Sequence, residues 1–111
     1  RLKAMRVRGG GIEDVLYQNL SGSVKQAIQI TLHYGDTSPT NETATPTIQR
    51  IALRDIDVAT TGPVETMESA SARYNLECRG LSDSLVDDIT FENVVSKSSL
   101  HSICEYCSIR A

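Results

Sequence analysis

The sequence has no tryptophan, one phenylalanine and four tyrosines among its 111 residues. A core with so few rings has to be filled by aliphatic side chains. Ile, Val, Leu and Ala carry the runs that look structured, and the weight of β-branched residues favours strands over helices. No apolar run approaches the roughly 18 residues that a membrane-spanning helix needs, so no membrane partner is expected. An excess of positive charge is also missing. The net charge of −3 sets the chain as a whole against nucleic-acid binding. Histidine is scarce, with only His33 and His101. Cys104-Glu-Tyr-Cys107 has metal-site or redox spacing, yet a zinc site of that kind needs a second pair of ligands. No metal and no cofactor is therefore expected. One disulfide and one leftover thiol fit the odd set Cys78, Cys104 and Cys107, with the pairing left open. The chain opens Arg1-Leu2-Lys3 and its first methionine is Met5, which is expected of a piece of a longer protein.

What is present is a repeat. Three segments align without gaps: Ile12 to Leu20, Ile48 to Ile56 and Val86 to Val94. Each reads aliphatic, x, x, aliphatic, x, large apolar, x, Asn or Asp, aliphatic. The apolar residues at the fourth and sixth positions alternate with polar or small ones, the period of a strand with one buried face. Asn19, Asp55 and Asn93 recur at the same place. Such residues tolerate bends, so they read as corner pieces that stack into a ladder of side-chain hydrogen bonds.

A second set of strand-like runs lies between these: Arg1 to Met5, Ala27 to Tyr34, Ala72 to Cys78, and a weaker Leu100 to Cys104. Two stretches of turn composition, Gly35 to Pro46 and Thr60 to Ser71, interrupt the pattern. Nothing helical separates the strands, which argues against a doubly wound α/β fold. A Greek-key sandwich would not repeat one pattern three times. Units that cannot bury an apolar face alone bury it by stacking. The expectation is an all-β, right-handed parallel β-helix, a solenoid of about three coils, with residues 1–111 forming part of one domain. Two N-glycosylation patterns occur, at Asn19 and Asn41. Arg1, Lys3, Arg6 and Arg8 make one basic cluster that would draw an anion or simply face solvent.

Arg1-Leu2-Lys3 followed by Arg8-Gly9-Gly10-Gly11-Ile12-Glu13-Asp14-Val15 resembles a signature of glycoside hydrolase family 28, the polygalacturonases and related pectinases. There an Arg-Ile-Lys motif precedes a glycine-containing turn and a repeat strand, and Leu2 stands here for the usual Ile. Gln26 to Tyr34 resembles the next strand of that family, which ends in a cleft-lining Tyr. Pro46 to Ile51 and Asp87 to Val94 look like the coils that close the helix.

The resemblance implies the C-terminal part of a single pectinase β-helix domain, from a secreted, monomeric enzyme. The parent would hydrolyse α-1,4 bonds of polygalacturonate with inversion. It also implies that the catalytic Asp residues, in Asn-Thr-Asp and Asp-Asp motifs with a following Gly-His-Gly, precede Arg1, so this chain alone would be inactive. Asp87-Asp88 lies on a repeat strand of the other type and takes no catalytic role. By the same resemblance, Arg1 and Lys3 hold a substrate carboxylate and Tyr34 lines the cleft. Residues two apart on a strand share a face, so Arg1 and Lys3 point outward while Leu2 points in. Tyr34 shares the parity of Ile28, Ile30 and Leu32, and a cleft position requires a bend near Gly35. The alternative is a non-catalytic β-helix that binds acidic glycan or serves adhesion. A calcium-dependent pectate lyase ranks lower, because no acidic cluster stands beside an Arg on one strand face.

Overall fold

The computed structural model describes residues 1–6, 8–33, 44–60, 75–98 and 101–110. Among them the strands are β1 (Leu2–Lys3), β2 (Gly11–Val24), β3 (Ile28–Thr31), β4 (Thr47–Thr60), β5 (Leu76–Arg79), β6 (Val86–Lys97), β7 (Ile103–Glu105) and β8 (Cys107–Arg110), and there is no helix. They form two four-stranded parallel sheets, β1-β3-β5-β7 and β2-β4-β6-β8. Strands adjacent in sequence belong to different sheets, and each pairs with the next strand but one. Hairpin-linked neighbours, which a Greek key needs, do not occur among these strands. The sheets are open, with β1 and β7 at the edges of one and β2 and β8 at the edges of the other.

The three aligned segments are in register. Ile12, Ile48 and Val86 pair in sequence across β2, β4 and β6, as do Val15, Ile51 and Ile89, then Tyr17, Leu53 and Phe91, then Leu20, Ile56 and Val94. Each long strand is broken twice by a non-glycine residue with positive φ. Asn19, Asp55 and Asn93 have φ of 58°, 52° and 53°. Asp14, Arg50 and Asp88 form a second such row, with φ of 58°, 57° and 56°. A single left-handed residue resets the strand's alternation, so the same face stays inward after the bend. That is why the buried residues of β4 run Ile48, Ile51, Leu53, Ile56, Val58, in steps of three and two. The Asp14, Arg50 and Asp88 row has no signature in the sequence pattern, because an arginine stands between two aspartates.

The corners are tied across strands. Asn93 Nδ2 donates to Asp55 Oδ1 at 2.9 Å, a rung of the expected ladder. In the other row the Arg50 guanidinium donates to Asp14 Oδ1 at 2.6 Å and to Glu13 Oε2 at 2.5 Å, and Arg110 pairs with Asp88.

Between the sheets lies an aliphatic core of Ile30, Leu32, Ile48, Ile51, Leu53, Ile56, Val58, Leu81, Val86 and Ile89, with the Cys78 thiol among them. Full burial of one such side chain contributes about 1.5–3 kcal/mol. At the β1/β2 edge the core opens into an apolar cavity of about 290 Å³, bounded by Leu2, Tyr17, Leu20 and Ile28.

One member of the basic cluster is misplaced by a charge reading. Arg6 is 1% exposed, donates to Thr45 Oγ1 at 3.2 Å and forms an ion pair with Asp83. It is an internal brace, and the exposed cations of that stretch are Arg1, Lys3 and Arg8. Thr60, assigned to a loop by composition, is the last residue of β4. The remainder of that loop, 61–71, and residues 35–43 of the first lie outside the described residues.

Candidate functional site

The short strands of the β1-β3-β5-β7 sheet are too brief to carry the repeat, and their outward face is polar. Residues paired in a parallel ladder point the same way, so the register sorts this sheet into rows. One inward row is Leu2, Ile30, Cys78 and Cys104. The neighbouring outward row is Lys3, Thr31, Arg79 and Glu105, and a second outward row holds Gln29, Glu77 and Ile103. Lys3 is exposed at the edge of the first row, and Arg1, which precedes the strand, is exposed and also borders the apolar cavity at this edge. Leu2 packs against the core.

Beyond them the face is organised by Glu77, whose side chain is 13% exposed. Its Oε2 accepts from Gln26 Nε2 at 3.1 Å and Gln29 Nε2 at 2.8 Å, and its Oε1 lies 3.4 Å from Arg79 Nε. On the other flank, His33 Nε2 is 2.7 Å from the Gly80 carbonyl oxygen and 3.7 Å from Glu105 Oε1. A carbonyl only accepts, so Nε2 carries the proton. Gly80 is required there: a Cβ would stand 2.0 Å from the Tyr106 carbonyl oxygen and 2.7 Å from the Val86 nitrogen. This array runs from a positive edge through a carboxylate held by amides to a His–Glu pair.

Of the expected site residues, Lys3 lies in the outward row of the edge strand and Arg1 just before that strand, both exposed. Tyr34, the third site residue, lies outside the described residues. Gln26, Gln29, His33, Glu77, Arg79 and Glu105 were not singled out as site residues, because their spacing in sequence carries no motif and only the register gathers them. The Asp87-Asp88 pair sits on β6 in the other sheet, where Asp88 forms a corner with Arg110. Asn19 is exposed at its corner, and Asn41 lies outside the described residues.

The cysteines are divided as the odd count suggests. Cys104 and Cys107 form a disulfide and Cys78 is a buried free thiol. The disulfide links β7 to β8, the last strands of the two sheets. Comparison with protein-family models, with curated proteins and with solved structures found no match.

Proposed function

We propose that the chain is the C-terminal part of a polygalacturonase-type parallel β-helix. Each coil would give one strand to either sheet, with the polar face of the short strands as the binding surface for polygalacturonate or a related acidic polysaccharide. What supports this reading is the edge strand, where the exposed Lys3 stands in the outward row, Leu2 packs inward and the exposed Arg1 immediately precedes them. Polygalacturonate presents a carboxylate on every sugar. A guanidinium offers a planar fork to such a group, and an ammonium offers a compact charge. The array of Gln26, Gln29, Glu77 and His33 would meet sugar hydroxyls farther along.

Inverting hydrolysis needs an acid and a base carboxylate with space for a water between them, roughly 6.5–9.5 Å apart. Glu77 is engaged by two amides and Asp88 by an arginine, so neither is offered for that work. The chain would bind uronate without cutting it, and the parent enzyme would be secreted and act as a monomer.

Calorimetric titration of the full chain with oligogalacturonates tests the reading. Unesterified oligomers should bind, and methyl-esterified ones, which lack the charge, should not. The double substitution Arg1→Ala and Lys3→Ala should weaken binding roughly tenfold or more in a chain that keeps its β structure by circular dichroism. Equal binding of both oligomers, or indifference to the double substitution, would sink the assignment. Release of reducing ends by the purified chain would contradict its catalytic silence.

A further inference from the structure

We propose that Cys78, Cys104 and Cys107 form a redox-gated site for one thiophilic d10 cation, of the Zn²⁺ or Cu⁺ type, at the closing end of the two sheets. The site is independent of the uronate reading and lies on the opposite, inward face of the short-strand sheet.

Three separate parts of the chain deliver the sulfurs. Cys78 and Cys104 sit directly opposite each other on β5 and β7, so both project inward. Tyr106, with φ of 51°, turns the chain between β7 and β8. Cys107 then enters from the other sheet, opposite the buried Val86. Its Sγ lies 3.5 Å from the carbonyl oxygen of Cys78, a residue 29 positions away. All three Sγ atoms lie within 4.8 Å of one another. Metal–thiolate bonds of about 2.3 Å require sulfurs roughly 4 Å apart, so Cys104 and Cys107 reach ligand spacing only once their bond is opened, while Cys78 already lies within reach of both. A donor set of three sulfurs selects soft cations over calcium or magnesium. Zn²⁺ would complete its tetrahedron with solvent on the exposed Cys104 side.

The disulfide is the gate. While the Cys104–Cys107 bond is intact, only Cys78 can ligate. A dithiol donor opens it in a two-electron step. The S–S bond breaks, the donor's own disulfide forms, and the donor's two protons end on Cys104 and Cys107. Metal entry then displaces the thiol protons to solvent. Each thiol must lose its proton to ligate, so the cation competes with protons at every sulfur. Affinity should therefore fall as the pH is lowered. In an oxidising compartment the site stays closed.

The full chain, reduced anaerobically with a water-soluble phosphine that adds no competing thiol, would be titrated with Cd²⁺ and followed by sulfur-to-metal charge-transfer absorption. One Cd²⁺ per chain is expected, with no such band for the oxidised chain. Cys78→Ser and Cys78→Ala should each weaken binding at least tenfold. If either binds Cd²⁺ as tightly as the parent, or if the oxidised chain binds equally, the proposal fails. Should both Cys78 substitutions disrupt the β structure by circular dichroism, Cys107→Ser carries the same decision at a half-buried position. A tenfold loss there supports the site and unchanged affinity overturns it.

Discussion

The two sheets of this protein are built from the same number of strands and differ in almost everything else. The long strands β2, β4 and β6 are regular, in register over three aligned segments, and turned at two corner rows. Their side chains satisfy one another: aliphatics inward, Asn and Asp at one bend, Arg and Asp at the other. The short strands β1, β3, β5 and β7 run for two to four residues and share no sequence pattern. Yet their outer face holds the exposed Lys3, the amide-bound Glu77 and the His33–Glu105 pair. Regularity belongs to the sheet that maintains the stack, and chemical variety to the sheet that has only to follow it. A side chain on the short strands can change without breaking a corner or a repeat.

The largest expected contrast within the long-strand sheet is between inward and outward positions. Ile51→Ala should cost about 2–5 kcal/mol by denaturant unfolding, because Ile51 is 1% exposed. Its neighbour in pattern, Leu16, is 49% exposed, and Leu16→Ala should cost far less. Equal losses would mean that the inward assignment is wrong.

The Arg6–Asp83 brace comes next. Asp83→Asn would leave a buried guanidinium without its carboxylate and should lower the melting temperature by more than any corner substitution. The pH dependence has a definite sign. Arg6 holds the Asp83 carboxyl below its ordinary value, chiefly by hydrogen bonding. The stabilisation is thus present above the ordinary carboxylate pKa of about 4 and is lost as pH falls through the depressed value. Thermal melts should fall off in acid for the parent and be flatter for Asp83→Asn; parallel profiles would remove Asp83 from the account. Arg50 depresses Asp14 in the same way, but that pair is exposed and should contribute less.

A corner substitution should be smaller and diagnostic. Asp55→Ala removes the acceptor for Asn93 and forces alanine into φ of 52°, at a cost of about 1 kcal/mol, whereas Asp55→Gly should recover the backbone part. If glycine is no better than alanine, the left-handed bend is not what Asp55 supplies. Smallest of all, Arg54→Ala breaks an exposed pair with Glu92 and should change stability by less than about 0.5 kcal/mol.

Much of the long-strand sheet was legible before any coordinates. The alignment of Ile12, Ile48 and Val86 is also the register of the sheet, because parallel stacking puts equivalent residues side by side. The Asn19, Asp55 and Asn93 row was legible as corners because Asn and Asp are the residue types that enter left-handed conformations most readily. The Asp14, Arg50 and Asp88 row was not, since arginine gives no such signal and its place is kept by its ion pair with Asp14. The inward place of Leu2 followed from strand alternation. The strand β8 and the burial of Arg6 had no local signature at all.

The amino-acid order alone determined which residues alternate, which recur, and hence that the protein is made of strands that stack on their own repeats. Local pattern suffices there because inward and outward are decided by period two and by the bends that reset it. The tertiary structure alone decided which distant groups meet: Arg6 with Asp83, His33 with the Gly80 carbonyl, and Cys78 with the Cys104–Cys107 bridge. Those meetings depend on the register between strands separated by loops of unequal length, and loop length leaves no trace in the side-chain pattern of the strands it joins.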